Sequence, residues 1–217
     1  FNFTLMILSS LLHFGMVQGR LTQSPPGCLQ WFPQESWQDE FNTASDIGVN
    51  YIELIAEVKH NVENPIWTND GISEIKQLVR SNNLTLHALC NDYIVEHSFL
   101  DERTIQQNIK LLEQVKKLGI EKYIMPFFES SELTMDNMQE YVDPLRKIAK
   151  VAHSGNITVC LETILTGKEL IDLLSLIDYP NVKAVYDTGN RVAFGHDLAG
   201  DIRLLSDYIA HVHIKDK

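Results

Sequence analysis

The chain has 217 residues, of which 44% are hydrophobic and 22% are charged, a composition typical of a globular protein with one sizeable core. The net charge of −11 argues against a nucleic-acid partner, because proteins that bind the phosphate backbone usually carry a basic stripe. The three cysteines lie far apart and form no CxxC pair, which argues against a disulfide framework or structural zinc and favours a cytoplasmic location.

The first 13 residues are mostly apolar and stand apart from the rest of the chain. They lack the basic segment and the cleavage site of a secretory signal peptide, and they are too short to cross a bilayer. We therefore expect a leader or a cloning scar here, with a targeting segment as the alternative, and we expect no membrane partner. Residues 14–217 should form a single domain, because we find no linker, internal repeat or low-complexity run.

Strand and helix patterns alternate along the rest of the chain. Seven such alternations imply parallel strands with crossover helices, an α/β fold. Helices are predicted because apolar residues recur on one face and glycines often follow the last turn. The predicted strands are 14–17, 51–56, 84–89, 122–127, 157–161, 182–187 and 209–213, and the predicted helices are 37–47, 70–82, 101–118, 136–153, 167–177 and 198–208.

A doubly wound sheet and a closed barrel both satisfy this alternation. The chain has neither a GxGxxG dinucleotide fingerprint nor a GxxxxGK[ST] phosphate loop, so a barrel is the better prediction. A complete (β/α)8 TIM barrel needs eight strands, and the chain stops just after the seventh. We therefore expect a TIM barrel truncated after strand seven. Its open edge beside strands one and seven invites pairing, and a homo-oligomer is one expected outcome.

Three successive strands end in side chains that could bind a metal. Glu162 follows the strand at 157–161, Asp187 ends the next strand, and His213 ends the last. The carboxyl ends of parallel strands meet at one edge of a sheet, and side chains alternate with period two, so these three should meet at the barrel mouth. Such ligands suit a divalent ion with open coordination positions, namely Mn²⁺, Mg²⁺, Co²⁺ or Zn²⁺.

Other polar residues near these strands have simpler interpretations. A single histidine in a strand is more often a hydrogen-bonded core residue than a ligand, and we predict this for His211. Glu53 and His87, both placed inside predicted strands, are interpreted mainly as structural. Gly189 directly follows the Asp187–Thr188 pair and is predicted to form a tight turn, because glycine reaches positive φ without steric cost.

Three motifs on the last strands resemble those of the sugar phosphate isomerase/epimerase group, the xylose isomerase-like TIM barrels. Two further segments are similar to the branch near the L-ribulose-5-phosphate and L-xylulose-5-phosphate 3-epimerases. The three motifs are Cys160–Thr163 (CLET), Val185–Asn190 (VYDTGN) and His211–Asp216 (HVHIKD), and the two further segments are Gly15–Leu21 (GMVQGRL) and Cys90–Tyr93 (CNDY).

The resemblance implies a (β/α)8 barrel whose metal is held by Glu162, Asp187, His213 and a glutamate that ends strand eight. It also implies that Glu162 is both ligand and catalytic base, while the strand-eight glutamate returns a proton to the opposite face of the substrate. The substrate would be a small sugar or sugar phosphate. Candidate substrate contacts are Lys215, Asn190, His87 and Arg20.

Two departures from the family pattern keep other functions open. Asn190 stands where the family often has a histidine, and the sequence contains no strand-eight glutamate. We predict a metal-dependent sugar or sugar-phosphate isomerase or 3-epimerase, and we expect this chain to bind metal but turn over sugar poorly. The alternatives are an apurinic endonuclease-like phosphodiesterase, which Asn190 and the acidic charge oppose, an inosose-type dehydratase, and a non-catalytic remnant.

Overall fold

The computed structural model of the protein describes residues 13–27 and 30–215, so the predicted leader lies almost wholly outside the described residues. Within this part, seven strands form one sheet in the order of the sequence, and every neighbouring pair is parallel. This is the strand arrangement of a TIM barrel, as predicted. The strands are β1 (Gly15–Val17), β2 (Tyr51–Ala56), β3 (Ala88–Asn91), β4 (Lys122–Phe127), β5 (Thr158–Thr163), β6 (Val182–Asp187) and β7 (Ile209–His213).

Helices connect the strands, and six of them occur close to their predicted positions. Gly48 and Gly119 end two of these helices in the left-handed conformation, with φ of 80° and 79°. A short helix after β3 and another after β6 were not predicted. The helices are α1 (Asp39–Ile47), α2 (Asn69–Ser81), α3 (Tyr93–Glu96), α4 (Glu102–Leu118), α5 (Met138–Ser154), α6 (Gly167–Ile177), α7 (Thr188–Ala193) and α8 (Leu198–Leu205).

The third strand begins later than the apolar run at 84–89 indicates. Asn83 has a φ of 55° and the N–H of Leu84 donates to the carbonyl of Val79, so the first part of this run closes the end of α2. Pairing with β4 starts only at Ala88. The prediction that His87 lies within a strand is therefore wrong, because this residue precedes β3.

The segment after β6 is a helix and not the tight turn predicted at Gly189. The carboxylate of Asp187 accepts a hydrogen bond from the backbone N–H of Asn190, which starts α7. Gly189 lies inside this helix and does not have a positive φ. Its small size matters for another reason: a Cβ atom there would lie 2.6 Å from Cγ of Lys215.

The sheet curls around its interior, and this curvature brings β2 next to β7. Glu53 on β2 lies 2.9 Å from His211 on β7, although the two strands are at opposite sides of the strand order. Among the described residues, β1 pairs only with β2 and β7 only with β6, so the predicted open edge is present. Every residue of β2 is buried, whereas β1 and most of β7 are partly exposed.

The region that the structure describes contains no helix with the length and apolar character needed to cross a membrane.

Candidate metal centre

Glu162, Asp187 and His213 meet at the carboxyl ends of β5, β6 and β7, as their positions in the sequence predict. Asp187 is the register partner of His213 in the sheet. Nδ1 of His213 lies 3.6 Å from Oε2 of Glu162 and 3.6 Å from Oδ2 of Asp187. Two ligands about 2.1 Å from one ion at a tetrahedral angle lie roughly 3.4 Å apart, so this spacing suits a shared metal better than a hydrogen bond.

The N-terminus of α7 orients the carboxylate of Asp187. Oδ1 accepts the backbone N–H of Asn190 at 2.7 Å. Oδ2 is buried and lies 2.8 Å from Nζ of Lys215, but this ion pair is outside hydrogen-bond geometry, so Oδ2 has no hydrogen-bond partner in the described part of the chain. Burial alone would raise the pKa of Asp187, but the contacts with His213, Asn190 and Lys215 lower it below its usual range.

Glu162 is the second carboxylate of the centre, and it is also buried. The side-chain amide of Asn190 donates to its Oε1 at 2.6 Å, which leaves Oε2 on the side of His213. Burial raises the pKa of Glu162, and the negative charge of Asp187 raises it further, while His213 opposes both. Two buried carboxylates next to each other repel, and a divalent cation between them would offset this repulsion.

Glu53, on β2, lies next to the group formed by Glu162, Asp187 and His213. These four residues are called the cluster below, and the sequence does not predict that Glu53 belongs to it. Its carboxylate is 2% exposed and lies 3.2 Å from Nε2 of His213 and 2.9 Å from Nε2 of His211. Burial would raise the pKa of Glu53, but the charge of His213 and the bonds from both histidines lower it to about 2. Conversely, burial lowers the pKa of His213, but Glu53 and Asp187 raise it to about 11.

One signal in the sequence could have identified Glu53. It is the single charged residue in the otherwise apolar or aromatic strand YIELIA, and a buried carboxylate needs a partner. His211 is buried and hydrogen-bonded, as its core interpretation predicts, although its partner is a residue of the cluster.

The four predicted substrate contacts fall into two groups. Two of them contact the cluster: Lys215 lies next to Asp187, and Asn190 donates a hydrogen bond to Glu162. His87 packs below the site, with ring centroids 5.0 Å from Tyr51 and 6.1 Å from His211, and Arg20 is exposed in the turn after β1. No hydrogen bond or ion pair within the described residues joins His87 or Arg20 to the cluster.

The side chains at this site suit a divalent metal ion. Glu162, Asp187 and His213 each offer one ligand atom, and these atoms lie within 4.8 Å of one another. Oδ2 of Asp187 is a buried acceptor without a hydrogen-bond donor among the described residues, which is the state expected of a ligand atom. Carboxylate oxygens and an imidazole nitrogen are suitable ligands for Mn²⁺, Mg²⁺, Co²⁺ and Zn²⁺.

Known proteins share both sequence and fold with this chain. A family model for xylose isomerase-like TIM barrels matches residues 41–217. A D-psicose 3-epimerase from Ruminiclostridium cellulolyticum is 24% identical over 204 residues, which are 83% of this chain and 68% of that protein.

Solved structures show the same fold at lower sequence identity. The structure of D-psicose 3-epimerase with D-tagatose from Clostridium cellulolyticum superposes with a TM-score of 0.72 at 18% identity, over 93% of this chain and 72% of that one. A xylose isomerase-like TIM barrel protein from Mycobacterium smegmatis, in complex with magnesium, gives a TM-score of 0.68 at 14% identity, over 84% and 67% of the two chains.

Proposed function

This chain belongs to the xylose isomerase-like TIM barrel family, and from this premise we propose that it is a divalent-metal-dependent epimerase or isomerase of carbohydrates. The reaction would move a proton at a carbon atom next to a carbonyl group. One observation carries the proposal: Glu162, Asp187 and His213 converge within 4.8 Å at the carboxyl ends of neighbouring strands, where barrel enzymes hold their active sites.

Glu162, Asp187 and His213 are the residues that would hold the metal. When bound, a divalent ion stabilises the negative charge that develops on a substrate oxygen as the neighbouring C–H bond breaks. The magnesium complex of the M. smegmatis protein supports a metal in this fold. The donor set suits Mn²⁺, Mg²⁺, Co²⁺ or Zn²⁺.

Glu162 is the residue that we propose removes the proton. Its Oε1 is held by the amide of Asn190 at 2.6 Å, so the carboxylate has a fixed orientation. Burial raises the pKa of this group, which makes its carboxylate a stronger base than an exposed glutamate. A base that is both oriented and desolvated is suited to proton transfer at carbon.

Lys215 and Asn190 are the proposed contacts to substrate oxygens. Lys215 is 47% exposed, and its Nζ lies beside Asp187 at the mouth of the barrel, where a sugar hydroxyl or carbonyl could reach it. We propose a free ketose as substrate, because Lys215 is the single lysine or arginine that contacts the cluster among the described residues, and a phosphate group usually needs more. The name of the D-psicose 3-epimerase relative supports this choice.

Among the described residues, we assign the acid–base role to Glu162 and not to Glu53. Glu53 is the third carboxylate, but its oxygens face Nε2 of both His211 and His213 at 2.9–3.3 Å. It therefore does not act as a proton donor from the opposite face of the substrate. Exchange of the substrate proton should therefore depend on Glu162, since a general acid–base group typically contributes about 10²–10⁴-fold.

Proton exchange at carbon tests this function. D-Psicose, D-fructose, D-tagatose and L-ribulose 5-phosphate are each incubated with the Mn²⁺-saturated protein in D₂O, and deuterium at C3 is followed by NMR. We expect incorporation into a free ketose that requires Mn²⁺. Incorporation into L-ribulose 5-phosphate alone would correct the substrate to a sugar phosphate, and no incorporation into any of the four would contradict the epimerase function.

A further inference from the structure

We propose that Glu53 is a positioning residue of the metal centre, which orients the imidazole of His213 so that Nδ1 faces Glu162 and Asp187. The inference rests on the proposed function, because it assigns a role to a residue one layer outside the ligands of the same site.

The geometry of His213 places a different group at each ring nitrogen. Oε1 and Oε2 of Glu53 lie 3.2 and 3.3 Å from Nε2, within hydrogen-bond distance. Nδ1, on the other side of the ring, lies 3.6 Å from Glu162 and from Asp187. When a metal replaces the proton on one ring nitrogen, the hydrogen bond at the other decides which nitrogen that is. With Nε2–H donating to Glu53, Nδ1 is the nitrogen that gives up its proton and binds the metal.

Glu53 is itself held rigidly. It lies in the middle of β2, a strand in which every residue is buried, and its own exposure is 2%. Oε2 also lies 2.9 Å from Nε2 of His211, which stands two residues before His213 on β7. Two imidazoles on one strand therefore fix one carboxylate, and that carboxylate in turn limits the rotation of the His213 ring.

The same three residues could instead hold a second metal ion, since Glu53, His211 and His213 also offer ligand atoms within 4.8 Å of one another. The distances favour hydrogen bonding. The separations of 2.9 and 3.2 Å between Glu53 and the two histidines are those of N–H donors and a carboxylate acceptor, shorter than the 3.6 Å on the Nδ1 side.

The test compares two buried glutamates by replacing each with glutamine. In Glu53→Gln, one of the two acceptor oxygens becomes an NH₂ donor and the negative charge is lost, so the side chain can no longer accept hydrogen bonds from Nε2 of both His211 and His213. Glu40 provides the matched control, because it is fully buried but accepts hydrogen bonds from the backbone of Gly19 and Leu21. Mn²⁺ affinity is measured by calorimetry for both variants, and folding is checked by circular dichroism.

We expect Mn²⁺ affinity to fall about 10–100-fold in Glu53→Gln, the effect typical of losing a partner behind a metal-binding histidine. Glu40→Gln should bind Mn²⁺ like the wild type. Equal affinity in Glu53→Gln and wild type would overturn the inference while leaving the proposed function intact. Two Mn²⁺ ions per wild-type chain, one of them lost in Glu53→Gln, would assign Glu53 to a second metal site and also overturn it.

A spectroscopic measurement on the wild type keeps the proposal testable if Glu53→Gln does not fold. In ¹⁵N-histidine-labelled protein loaded with Zn²⁺, we expect His213 to carry a slowly exchanging proton on Nε2 and the metal on Nδ1. A metal on Nε2 would contradict the inference. A wild-type protein that binds neither Mn²⁺ nor Zn²⁺ would refute the proposed function itself, and the inference with it.

Discussion

The two ring nitrogens of His213 face carboxylates in two different states. On the Nε2 side, Glu53 lies 3.2 Å away and also contacts His211, so imidazole groups satisfy its oxygens. On the Nδ1 side, Glu162 and Asp187 lie 3.6 Å away, and Oδ2 of Asp187 has no hydrogen-bond donor among the described residues. Burying a carboxylate is costly unless it is paired. The buried carboxylate on the Nε2 side is paired with two histidines, whereas the two on the Nδ1 side share one half-exposed cation, Lys215, which leaves them suited to a divalent ion.

Asp187→Asn should cause the largest loss of metal binding on the Nδ1 side of His213. The amide cannot act as an anionic ligand, so we expect the loss of stoichiometric Mn²⁺ binding after dialysis, measured by elemental analysis. The asparagine oxygen can still accept the N–H that starts α7, which limits damage to the fold. Asp197→Asn is the matched control, because Asp197 caps α8 through the N–H of Gly200. One Mn²⁺ retained per chain in Asp187→Asn would rule out this ligand.

Glu162→Gln tests which group on the Nδ1 side moves the proton. At a Mn²⁺ concentration that saturates the variant, we expect deuterium exchange at C3 of a ketose to slow by about 10²–10⁴-fold, because the amide is not a base. Glu169→Gln serves as a control, since Glu169 caps α6 just after β5 and does not reach the cluster. Exchange at the wild-type rate in Glu162→Gln would show that another residue is the base.

Metal binding on the Nδ1 side should also stabilise the fold. At a Mn²⁺ concentration 100 times the Kd, we expect about 2.7 kcal/mol of added stability, since the ion binds the folded state. For a chain of this size the melting temperature should rise by roughly 5–10 °C and return to its starting value with a chelator. An equal rise in Asp187→Asn would mean that the stabilising ion binds elsewhere.

Lys215→Met should have the smallest effect on Mn²⁺ affinity, and it should raise this affinity instead of lowering it. Lys215 is 47% exposed and offers a positive charge to Asp187, so it competes with a metal for the same carboxylate. Removing it should raise Mn²⁺ affinity by less than about 5-fold, because exposed ion pairs contribute about 0–1 kcal/mol. Lys147→Met, at an exposed pair with Glu102, is the control for the loss of a surface charge. A loss of Mn²⁺ binding in Lys215→Met would place this residue among the groups that the centre requires.

The strands and the Nδ1 side of the centre could be predicted from local patterns. Seven short apolar runs alternate with amphipathic helices, and period two along a strand decides which side chains share a face. Glu162, Asp187 and His213 each end such a run. Because parallel strands end at one edge of the sheet, their proximity follows without knowledge of the tertiary structure.

The Nε2 side depends on contacts that no local pattern contains. Glu53 and His213 are 160 positions apart and meet only because the sheet curls between β2 and β7. His87 illustrates the same limit: its apolar run is typical of a strand, but part of that run closes α2 and leaves the histidine below the site. Gly189 is a third case: a glycine after a strand predicts a turn, but the hydrogen bond from the N–H of Asn190 to Asp187 starts a helix there.

Anomalous scattering from crystals grown with Mn²⁺ tests the central claim most directly. We expect one strong peak per chain, about 2.0–2.6 Å from Oε2 of Glu162, Oδ2 of Asp187 and Nδ1 of His213. A peak between Glu53 and His211, or one distant from all three ligands, would contradict the assignment of the metal to the Nδ1 side of His213.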